Sequence, residues 1–338
     1  MADSRRTRWA ILGPGRISHD FAQSLTRSAH GSLQAVGSSS PKRAREFSDT
    51  YGAPGSGTYR EVIDRDDVDA VYIGTVHTTH AELAIAALNA GKPVLCEKPA
   101  SIDGAGAAEV IATARRVELP FLEAYKYRFG PLAQELRRIV SSGEIGLPLS
   151  LSAPYGFAAR DRSSRLFSAA VGGGAILDVG CYPVSMAVGI AHWAGKAGMV
   201  AEASLSSTGA EMKARIDESA EAEVRIGSLT AQVETSIVRA LPTRLVIRGT
   251  EGWFESDQMW GSRSASGTTA VVYREGRQGR PISVSSVDPL AAEADAVSRA
   301  IADGRSELPE VTWGETVAIA QLLDDWRRQV SEPAESSQ

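Results

Sequence analysis

Short apolar runs alternate with helix-periodic segments over roughly the first 125 residues of the chain. In the first of these segments Ile17, Phe21 and Leu25 recur at a spacing of four, which marks one face of a helix. The predicted strands are residues 9–12, 33–36, 68–73, 93–96 and 121–125, and the predicted helices between them are 17–25, 41–47, 80–89 and 103–116. Strands that alternate with helices are typical of right-handed βαβ units, so this half is expected to form a doubly wound parallel sheet.

The second half of the chain has more strand patterns and fewer helices between them. Its predicted strands are residues 149–155, 200–206, 222–226, 230–238, 244–247 and 269–273, and its predicted helices are 132–140, 175–193, 290–302 and 313–330. Successive strands without intervening helices indicate a large, open and mostly antiparallel sheet. The predicted fold class is therefore α/β, with a parallel sheet in the first domain and this open sheet in a second α/β domain.

Composition and charge narrow the classes of partner. Hydrophobic residues make up 43% of the 338 positions, which is enough for the cores of two domains. The net charge of -5 gives no electrostatic reason to expect nucleic acid or an acidic membrane surface as a partner. No stretch approaches the ~20 apolar residues of a membrane span, and the apolar run after Arg5 and Arg6 is too short for a signal peptide. We therefore expect a cytoplasmic protein with a small-molecule partner.

The two cysteines, Cys96 and Cys181, are too few for a disulfide framework and fit a reducing compartment. Neither has a second cysteine or a histidine at the spacing of zinc ligands, so no metal site is expected. Both thiols are expected to be buried as small apolar groups.

A glycine-rich loop directly follows the first predicted strand and directly precedes a helix. It contains Gly13, Gly15, Arg16, Ile17 and Ser18, with the small Ser18 in place of a third glycine. In this context Gly13 permits a tight turn and Gly15 lets the backbone approach a pyrophosphate, which then lies at the helix N-terminus. The loop predicts a Rossmann-type dinucleotide site with Arg16 at its rim; the alternative is an ordinary glycine turn.

The tip of the second predicted strand bears on the choice of dinucleotide. Enzymes that use NAD commonly place an acidic residue there for the ribose 2′-hydroxyl. Here Ser38, Ser39 and Ser40 precede Lys42 and Arg43, and there is no acid. Hydroxyls and cations suit a 2′-phosphate, so NADP(H) is predicted in preference to NAD(H), with Ser38, Ser39 and Arg43 as contacts. The alternative is a solvated turn that is indifferent to the cofactor.

Three residues form a candidate catalytic group. Lys98 follows the predicted strand 93–96, where ligands of doubly wound sheets bind. Asp178 and Tyr182 are four apart in a predicted helix, which places a carboxylate and a phenol on one helix face. Taken singly, a surface lysine and an aspartate–tyrosine pair are common helix and loop features, so the prediction depends on their occurring together.

The motifs together resemble the glucose–fructose oxidoreductase/inositol dehydrogenase (Gfo/Idh/MocA) family. Within it, the resemblance is to the branch of dimeric dihydrodiol dehydrogenases and NADP-dependent aldose 1-dehydrogenases. The matching segments are residues 13–18, 74–80, 94–99, 123–131 and 165–182. The Glu97-Lys98-Pro99 run is fairly specific for the family, and residues 186–338 match only in general character.

The resemblance implies roles for particular residues. Lys98 takes the place of the family's catalytic lysine, Tyr182 that of the branch's acid/base tyrosine, and Asp178 that of its supporting aspartate. The implied cofactor contacts are Gly13, Gly15, Ile17, Ser38, Thr75, His77, His80, Glu97, Lys98 and Arg128. It also implies a dinucleotide-binding Rossmann domain over 1–125, a substrate-binding and oligomerisation domain over 126–330, and a homodimer or homotetramer; the polar tail 331–338 is expected to fray.

Three positions depart from the branch or separate it from relatives. Inositol-type members have histidine where this chain has Tyr182, which disfavours that activity. The branch often has an arginine near Ser39 or Ser40, and Arg43 would have to replace it. Relatives tend to carry Asp-Pro after the Arg-Leu-Phe run, where this chain has Ser168 and alanine.

The expected activity is reversible hydride transfer between a nicotinamide and a carbinol or carbonyl of a sugar or related polyhydroxy compound. Two alternatives stay open: a redox-assisted glycosidase that retains its nicotinamide, and a non-catalytic dinucleotide sensor. His80 is expected to contact the following helix near the nicotinamide, and His77 either touches substrate or is a polar loop residue. Most tryptophans are expected in the core, although Trp253 or Trp260 could stack on a sugar.

Overall fold

A computed structural model describes residues 6–260, 268–285 and 287–331. The chain divides into two compact units. The first comprises Met1–Ser101, Ala105–Phe129 and Val287–Thr316, and the second comprises Ile102–Gly104, Gly130–Ser286 and Val317–Gln338. Apart from its first residue, the predicted frayed tail lies outside the described residues.

The first unit contains a six-stranded parallel sheet in the order β3-β2-β1-β4-β5-β6. Its strands are β1 (Thr7–Leu12), β2 (Gly31–Gly37), β3 (Gly55–Gly57), β4 (Ala70–Ile73), β5 (Val94–Glu97) and β6 (Phe121–Ala124). Its helices are α1 (Arg16–Leu25), α2 (Pro41–Tyr51), α3 (Tyr59–Ile63), α4 (His80–Asn89), α5 (Gly104–Val117) and, much later in the chain, α9 (Pro289–Ala302). This is the doubly wound order, so the predicted parallel sheet is confirmed.

Three neighbouring strands of this sheet are buried along their whole length. Every residue of β4, β5 and β6 is buried, which explains why these strands appear in the sequence as continuous apolar runs rather than alternating ones. The ring of Phe21 from α1 stacks on Tyr72 of β4 with centroids 3.7 Å apart. The apolar face of α1 that the spacing predicted therefore packs on the sheet.

Helix α9 joins the first unit although it follows the second sheet in the chain. The Asp295 carboxylate on α9 accepts hydrogen bonds from the Ser28 hydroxyl and from the backbone N–H of Ala29 and His30. The predicted division into continuous domains 1–125 and 126–330 is therefore wrong for residues 287–316. The return depends on side chains more than 250 positions apart, which local periodicity does not reveal.

The second unit contains an eight-stranded sheet in the order β14-β13-β12-β11-β7-β10-β9-β8. Its strands are β7 (Pro148–Gly156), β8 (Ser204–Lys213), β9 (Ile216–Ile226), β10 (Leu229–Ser236), β11 (Leu245–Gly249), β12 (Gly252–Ser256), β13 (Thr268–Arg274) and β14 (Arg280–Val284). Only β7 and β10 pair in parallel among the described strands of this sheet. The predicted mostly antiparallel sheet is confirmed.

The helices of the second unit include α6 (Pro131–Ser141), α7 (Cys181–Trp193), α8 (Ala197–Val200) and most of α10 (Trp313–Ser331), which begins in the first unit. The strand predicted at 200–206 starts only at Ser204, because α8 occupies the residues before it. Strands β3, β12 and β14 were not predicted: they have three to five residues and, unlike β4, β5 and β6, no continuous apolar run.

One helical stretch among the described residues, Ala169–Trp193, has the length and composition of a membrane span. It departs from the expectation that no stretch approaches such a span. Its apolar window is entirely buried inside the protein, as in the core helix of a globular domain.

Candidate functional site

The loop between β1 and α1 contains two glycines, and the structural reason for glycine differs between the two positions. Gly13 has φ +89°, and a Cβ there would collide with Thr75, so the backbone and the packing both demand glycine. Gly15 has an ordinary φ of -94°, and a Cβ there would meet only the Gly74 carbonyl oxygen, at 3.5 Å. Because the protein itself leaves this space open, Gly15 forms a cradle that a phosphate can approach.

Helix α1 is tied directly to this loop. Ser18, at the third position of the motif, is fully buried, and its hydroxyl donates a hydrogen bond to the Gly13 carbonyl oxygen at 2.6 Å. Gly15 occupies the N-cap and has no side chain to cap the first N–H groups, which suits an anionic ligand. Arg16 is exposed and Ile17 is half-buried in this first turn.

The turn after β2 places a cation beside the glycine loop. Arg43 Nη2 donates a hydrogen bond to the Pro14 carbonyl oxygen at 3.1 Å, so the guanidinium is held at the loop. Ser38 is buried and its Oγ accepts the Ser40 N–H at 3.1 Å, whereas Ser39 is exposed. The predicted 2′-phosphate contacts thus separate into a structural hydroxyl at Ser38 and two groups open to a ligand, Ser39 and Arg43.

Two histidines follow β4, and His80 is the better defined. It is fully buried; its Nδ1 lies 2.8 Å from the Pro99 carbonyl oxygen and its Nε2 lies 3.3 Å from that of Thr75. Burial lowers the pKa of His80, so the ring is neutral and donates from one nitrogen only. His80 therefore links the loop after β4 to the turn after β5. The buried His77 ring packs edge-on to it, with centroids 5.6 Å apart.

The turn after β5 presents the candidate lysine. Glu97 is buried, and its Oε1 accepts a hydrogen bond from the Tyr72 hydroxyl at 2.9 Å. Lys98 is partly exposed at the carboxyl end of β5, the same sheet edge as the glycine loop. The structure thus brings the predicted residues of the first unit to one edge of the parallel sheet.

Arg128 differs from the other predicted cofactor contacts. Its side chain is fully buried and forms an ion pair with Glu315 at 3.3 Å, while its Nε donates to the Tyr127 hydroxyl at 2.8 Å. Glu315 Oε2 in turn accepts the Thr312 N–H at 2.8 Å. Arg128 therefore anchors the start of α10, and its contact with a cofactor stays a prediction.

The other two catalytic candidates lie in the second unit. Asp178 is in a π-helical turn, Ile176–Gly180, and Tyr182 is in the first turn of α7. Arg165 Nη2 donates a hydrogen bond to Asp178 Oδ1 at 2.7 Å and forms an ion pair with it. Sequence reasoning did not assign Arg165 a role, because nothing local links it to a residue 13 positions later.

An aromatic cluster surrounds Tyr182. Its ring lies edge-on to Tyr155, with centroids 5.2 Å apart, and to Trp260, at 6.1 Å. The Trp260 Nε1 donates to the Pro154 carbonyl oxygen at 3.1 Å, which fixes the indole. Of the two tryptophans considered for sugar stacking, Trp260 is thus beside Tyr182, whereas Trp253 stacks on Tyr273.

Asp217 on β9 is a further residue that the motifs did not show. Its buried carboxylate accepts the Ile176 N–H at 2.6 Å, at the start of the turn that carries Asp178. Burial raises the pKa of Asp217 to about 6, although backbone hydrogen bonds and Arg327 oppose this. Gly174 has φ +114°, and a Cβ there would collide with Asp217, so the glycine permits the close approach.

Across the residues that the structure describes, no group of three or more histidine, cysteine, aspartate or glutamate side chains could hold a metal ion. Lys98 belongs to the first unit, and Asp178 and Tyr182 belong to the second.

The fold and these residues define a nucleotide-dependent oxidoreductase, and comparison with known proteins supports this class. Residues 7–125 match the model of the Gfo/Idh/MocA oxidoreductase family with an NAD-binding Rossmann fold. Residues 133–255 match the model of a C-terminal domain of the same family. The chain belongs to the Gfo/Idh/MocA oxidoreductase family, as the resemblance of its motifs predicted.

Similar proteins span nearly the whole chain. Trans-1,2-dihydrobenzene-1,2-diol dehydrogenase of Xenopus tropicalis is 28% identical, over 96% of this chain and 98% of its own. D-xylose 1-dehydrogenase (NADP(+)) of Hypocrea jecorina is also 28% identical, over 95% of this chain and 91% of its own. The structure of a mutant 3-ketoreductase from Actinomadura kijaniata superposes with a TM-score of 0.83 at 24% identity, covering 96% of this chain and 98% of that one. This last likeness concerns the fold.

Proposed function

We propose that the protein is an NADP-preferring dehydrogenase or reductase that acts on a carbinol or carbonyl of a sugar or related polyhydroxy compound. The observation that carries the proposal is the position of Lys98 at the same sheet edge as the glycine loop. This edge is where the nicotinamide end of a bound dinucleotide and its substrate meet in doubly wound folds. The named relatives are dehydrogenases of a dihydrodiol and of D-xylose. Both compounds carry more than one hydroxyl group.

The residues present fit the dinucleotide. The open cradle at Gly15 suits a pyrophosphate, and the exposed Ser39 with the anchored Arg43 suits a 2′-phosphate. The NADP-dependent xylose dehydrogenase is consistent with this preference, and NAD(H) remains the alternative cofactor. When bound, the nicotinamide supplies the hydride acceptor or donor.

Residues of the chain itself then transfer the proton of the substrate hydroxyl. In the oxidative direction the Tyr182 phenolate accepts the proton of the substrate hydroxyl, and in reduction it returns that proton. The Lys98 ammonium favours the phenolate and stabilises negative charge that develops on the substrate oxygen. Asp178, held by Arg165, orients Tyr182 or binds a substrate hydroxyl.

The aromatic cluster supports a ring-shaped substrate. Tyr155 is partly exposed and presents a flat aromatic surface beside Tyr182, while the buried indole of Trp260 packs against both rings. Such surfaces suit the apolar face of a sugar ring or a dihydrodiol. Ser168 and Ala169, where relatives tend to carry Asp-Pro, leave the particular substrate open.

The test measures nicotinamide absorbance in both directions with aldoses, keto-sugars, polyols and a dihydrodiol, each with NADP(H) and NAD(H). We expect turnover in the wild type and its collapse in Lys98→Met, with cofactor binding retained. Equal activity in Lys98→Met would refute the assignment of Lys98. Cofactor binding without turnover would favour a dinucleotide sensor, and glycoside cleavage without net cofactor change would favour a redox-assisted glycosidase.

We also propose a cytoplasmic homodimer or homotetramer that assembles through the open face of the eight-stranded sheet. On that face, alternate residues of β11 and β12 are partly exposed, and they include aromatic and charged side chains. Trp253 stacks on Tyr273 with centroids 4.4 Å apart, and Arg248 lies over the Trp253 ring at 5.7 Å. Flat aromatic surface with an arginine at its edge is the composition that protein interfaces favour.

A further inference from the structure

A buried carboxylate supports the turn that carries Lys98. Glu123 lies on β6 and is 2% exposed, and its Oε1 accepts the backbone N–H of Ala100 at 2.9 Å. Ala100 comes two residues after Lys98, directly after Pro99. The carboxylate therefore fixes the backbone on the C-terminal side of the candidate lysine.

The charge of Lys98 acts on this carboxylate in turn. Burial raises the pKa of Glu123 to about 7, while the Lys98 ammonium and the hydroxyls of Tyr125 and Thr316 favour its ionised form. The second oxygen, Oε2, is also buried and does not take part in the bond to Ala100. A proton can therefore be taken up at Oε2 while Oε1 keeps its bond to the Ala100 N–H.

The other ionisable groups around Glu123 have partners or positions of their own. Cys96 is its direct neighbour on β5, and its thiol is neutral because burial and Glu123 raise the pKa of Cys96. Glu97, the next residue on β5, has its side chain on the opposite face of the sheet and accepts the Tyr72 hydroxyl. At the start of α10, Glu315 is neutralised by Arg128.

The helices packed on the sheet complete this set of neighbours. Arg115 on α5 lies over the Trp313 ring at 5.7 Å. Glu293 on α9 is buried and senses the charges of Glu97 and Lys126. Among the described residues, Lys98 is thus the cation whose charge acts on Glu123.

We propose that Glu123 is a positioning residue for Lys98: its carboxylate holds the Ala100 N–H and attracts the Lys98 ammonium, and protonation weakens both interactions. This inference rests on the proposed function, in which Lys98 is the catalytic lysine. A hydrogen bond to a charged acceptor is about twice as strong as one to a neutral acceptor. The turn is therefore best defined above the pH at which Glu123 ionises, and the turnover number rises as pH increases through about 7.

The test uses Glu123→Gln, which keeps an acceptor for the Ala100 N–H and removes the charge. The chain has six lysines, so protein labelled with ¹³C at lysine Cε gives a countable spectrum, and Lys98→Met assigns the Lys98 signal. The matched control is Glu293→Gln, which changes another buried glutamate of the same unit, one that responds to the charges of Glu97 and Lys126.

We expect the Lys98 signal of the wild type to show an inflection near pH 7 that Glu293→Gln retains and Glu123→Gln abolishes. The proton affinity of Lys98 should also fall about tenfold in Glu123→Gln, since a nearby opposite charge shifts such equilibria by this order. The turnover number at pH 8 should fall by a similar factor with little change in KM for the cofactor, and its rise near pH 7 should disappear.

An inflection that persists in Glu123→Gln, or its absence from the wild type, would overturn the proposal. Absence of the inflection from the wild type overturns the proposal even where Glu123→Gln does not fold. The spectra need no turnover, so failure of the proposed function, seen as inactivity on every substrate, is distinguishable from failure of this inference.

Discussion

At the residue scale, Arg43 is the proposed contact for the 2′-phosphate that distinguishes the two dinucleotides. Its guanidinium donates a hydrogen bond to the Pro14 carbonyl oxygen, beside the glycine loop. No carboxylate takes part in that bond, so its positive charge is not neutralised there. We predict that Arg43→Ala lowers kcat/KM for NADP(+) by roughly tenfold to a hundredfold, the usual worth of a charge-assisted contact to phosphate, and leaves NAD(+) almost unchanged. Steady-state kinetics with both cofactors measure this.

Lys42→Ala is the matched control for Arg43, because Lys42 is an exposed neighbour that pairs with Glu46 on the helix surface at 3.8 Å. It should change the NADP(+) kinetics little. Equal losses with NADP(+) and NAD(+) in Arg43→Ala would show that Arg43 supports the glycine loop and does not read the 2′-phosphate.

At the scale of elements, Asp217 couples β9 to the π-helical turn before α7. The raised pKa, about 6 against an ordinary 3.8, means that the folded protein binds the proton more tightly than the unfolded chain does. This stabilisation is fully present below pH 3.8 and is lost as pH rises through about 6. Across that window the loss is on the order of 3 kcal/mol.

We therefore predict that Asp217→Asn flattens the decline in unfolding free energy between pH 4 and pH 7. Denaturant unfolding of both proteins at several pH values measures the difference. The amide oxygen of the variant can still accept the Ile176 N–H, so the turn that carries Asp178 should stay in place and turnover should change little. Parallel stability profiles for the two proteins would contradict this account of Asp217.

The hairpin between β8 and β9 is a second element to which a prediction applies, because its turn has a strained backbone. Lys213 pairs with Ile216, so the turn has only two residues, and both have positive φ: Ala214 at 49° and Arg215 at 66°. Glycine and asparagine suit such turns, whereas other residues are strained there. We predict that Arg215→Gly stabilises the protein by about 1 kcal/mol.

Thermal unfolding of Arg215→Gly should show a higher midpoint than the wild type. Gly195, also at positive φ, offers the converse control, since Gly195→Ala should lower the midpoint. An unchanged or lower midpoint in Arg215→Gly would mean that Arg215 makes a compensating contact in the hairpin.

At the scale of the whole molecule, the prediction concerns assembly. If copies associate through the open sheet face, Trp253→Glu replaces a flat aromatic surface of the interface by a hydrated carboxylate, which strongly disfavours association. We expect the wild type to sediment as a dimer or tetramer and Trp253→Glu to sediment as a smaller species. Met199→Glu on α8, which changes an exposed apolar residue outside the sheet, should leave the association state unchanged. A monomeric wild type, or an unaltered Trp253→Glu assembly, would contradict the proposed interface.

The sequence by itself determined the features that depend on neighbours along the chain. The glycine loop between β1 and α1, the buried strands β4, β5 and β6, and the position of Lys98 after β5 all follow from local backbone preferences and apolar runs. Such features form wherever the chain places them, so spacing alone identified them. The family motifs extended this to Tyr182 and Asp178.

Only the tertiary structure decided which distant residues meet. The return of α9 to the first sheet, the hold of Arg165 on Asp178, the anchor of Asp217 on the π-helical turn and the contact of Glu123 with Ala100 all join residues far apart in sequence. Each depends on strand order and on which buried polar groups need a partner once the sheets have formed. A buried carboxylate must find a hydrogen bond wherever the fold puts it, and no local pattern of the chain specifies that partner.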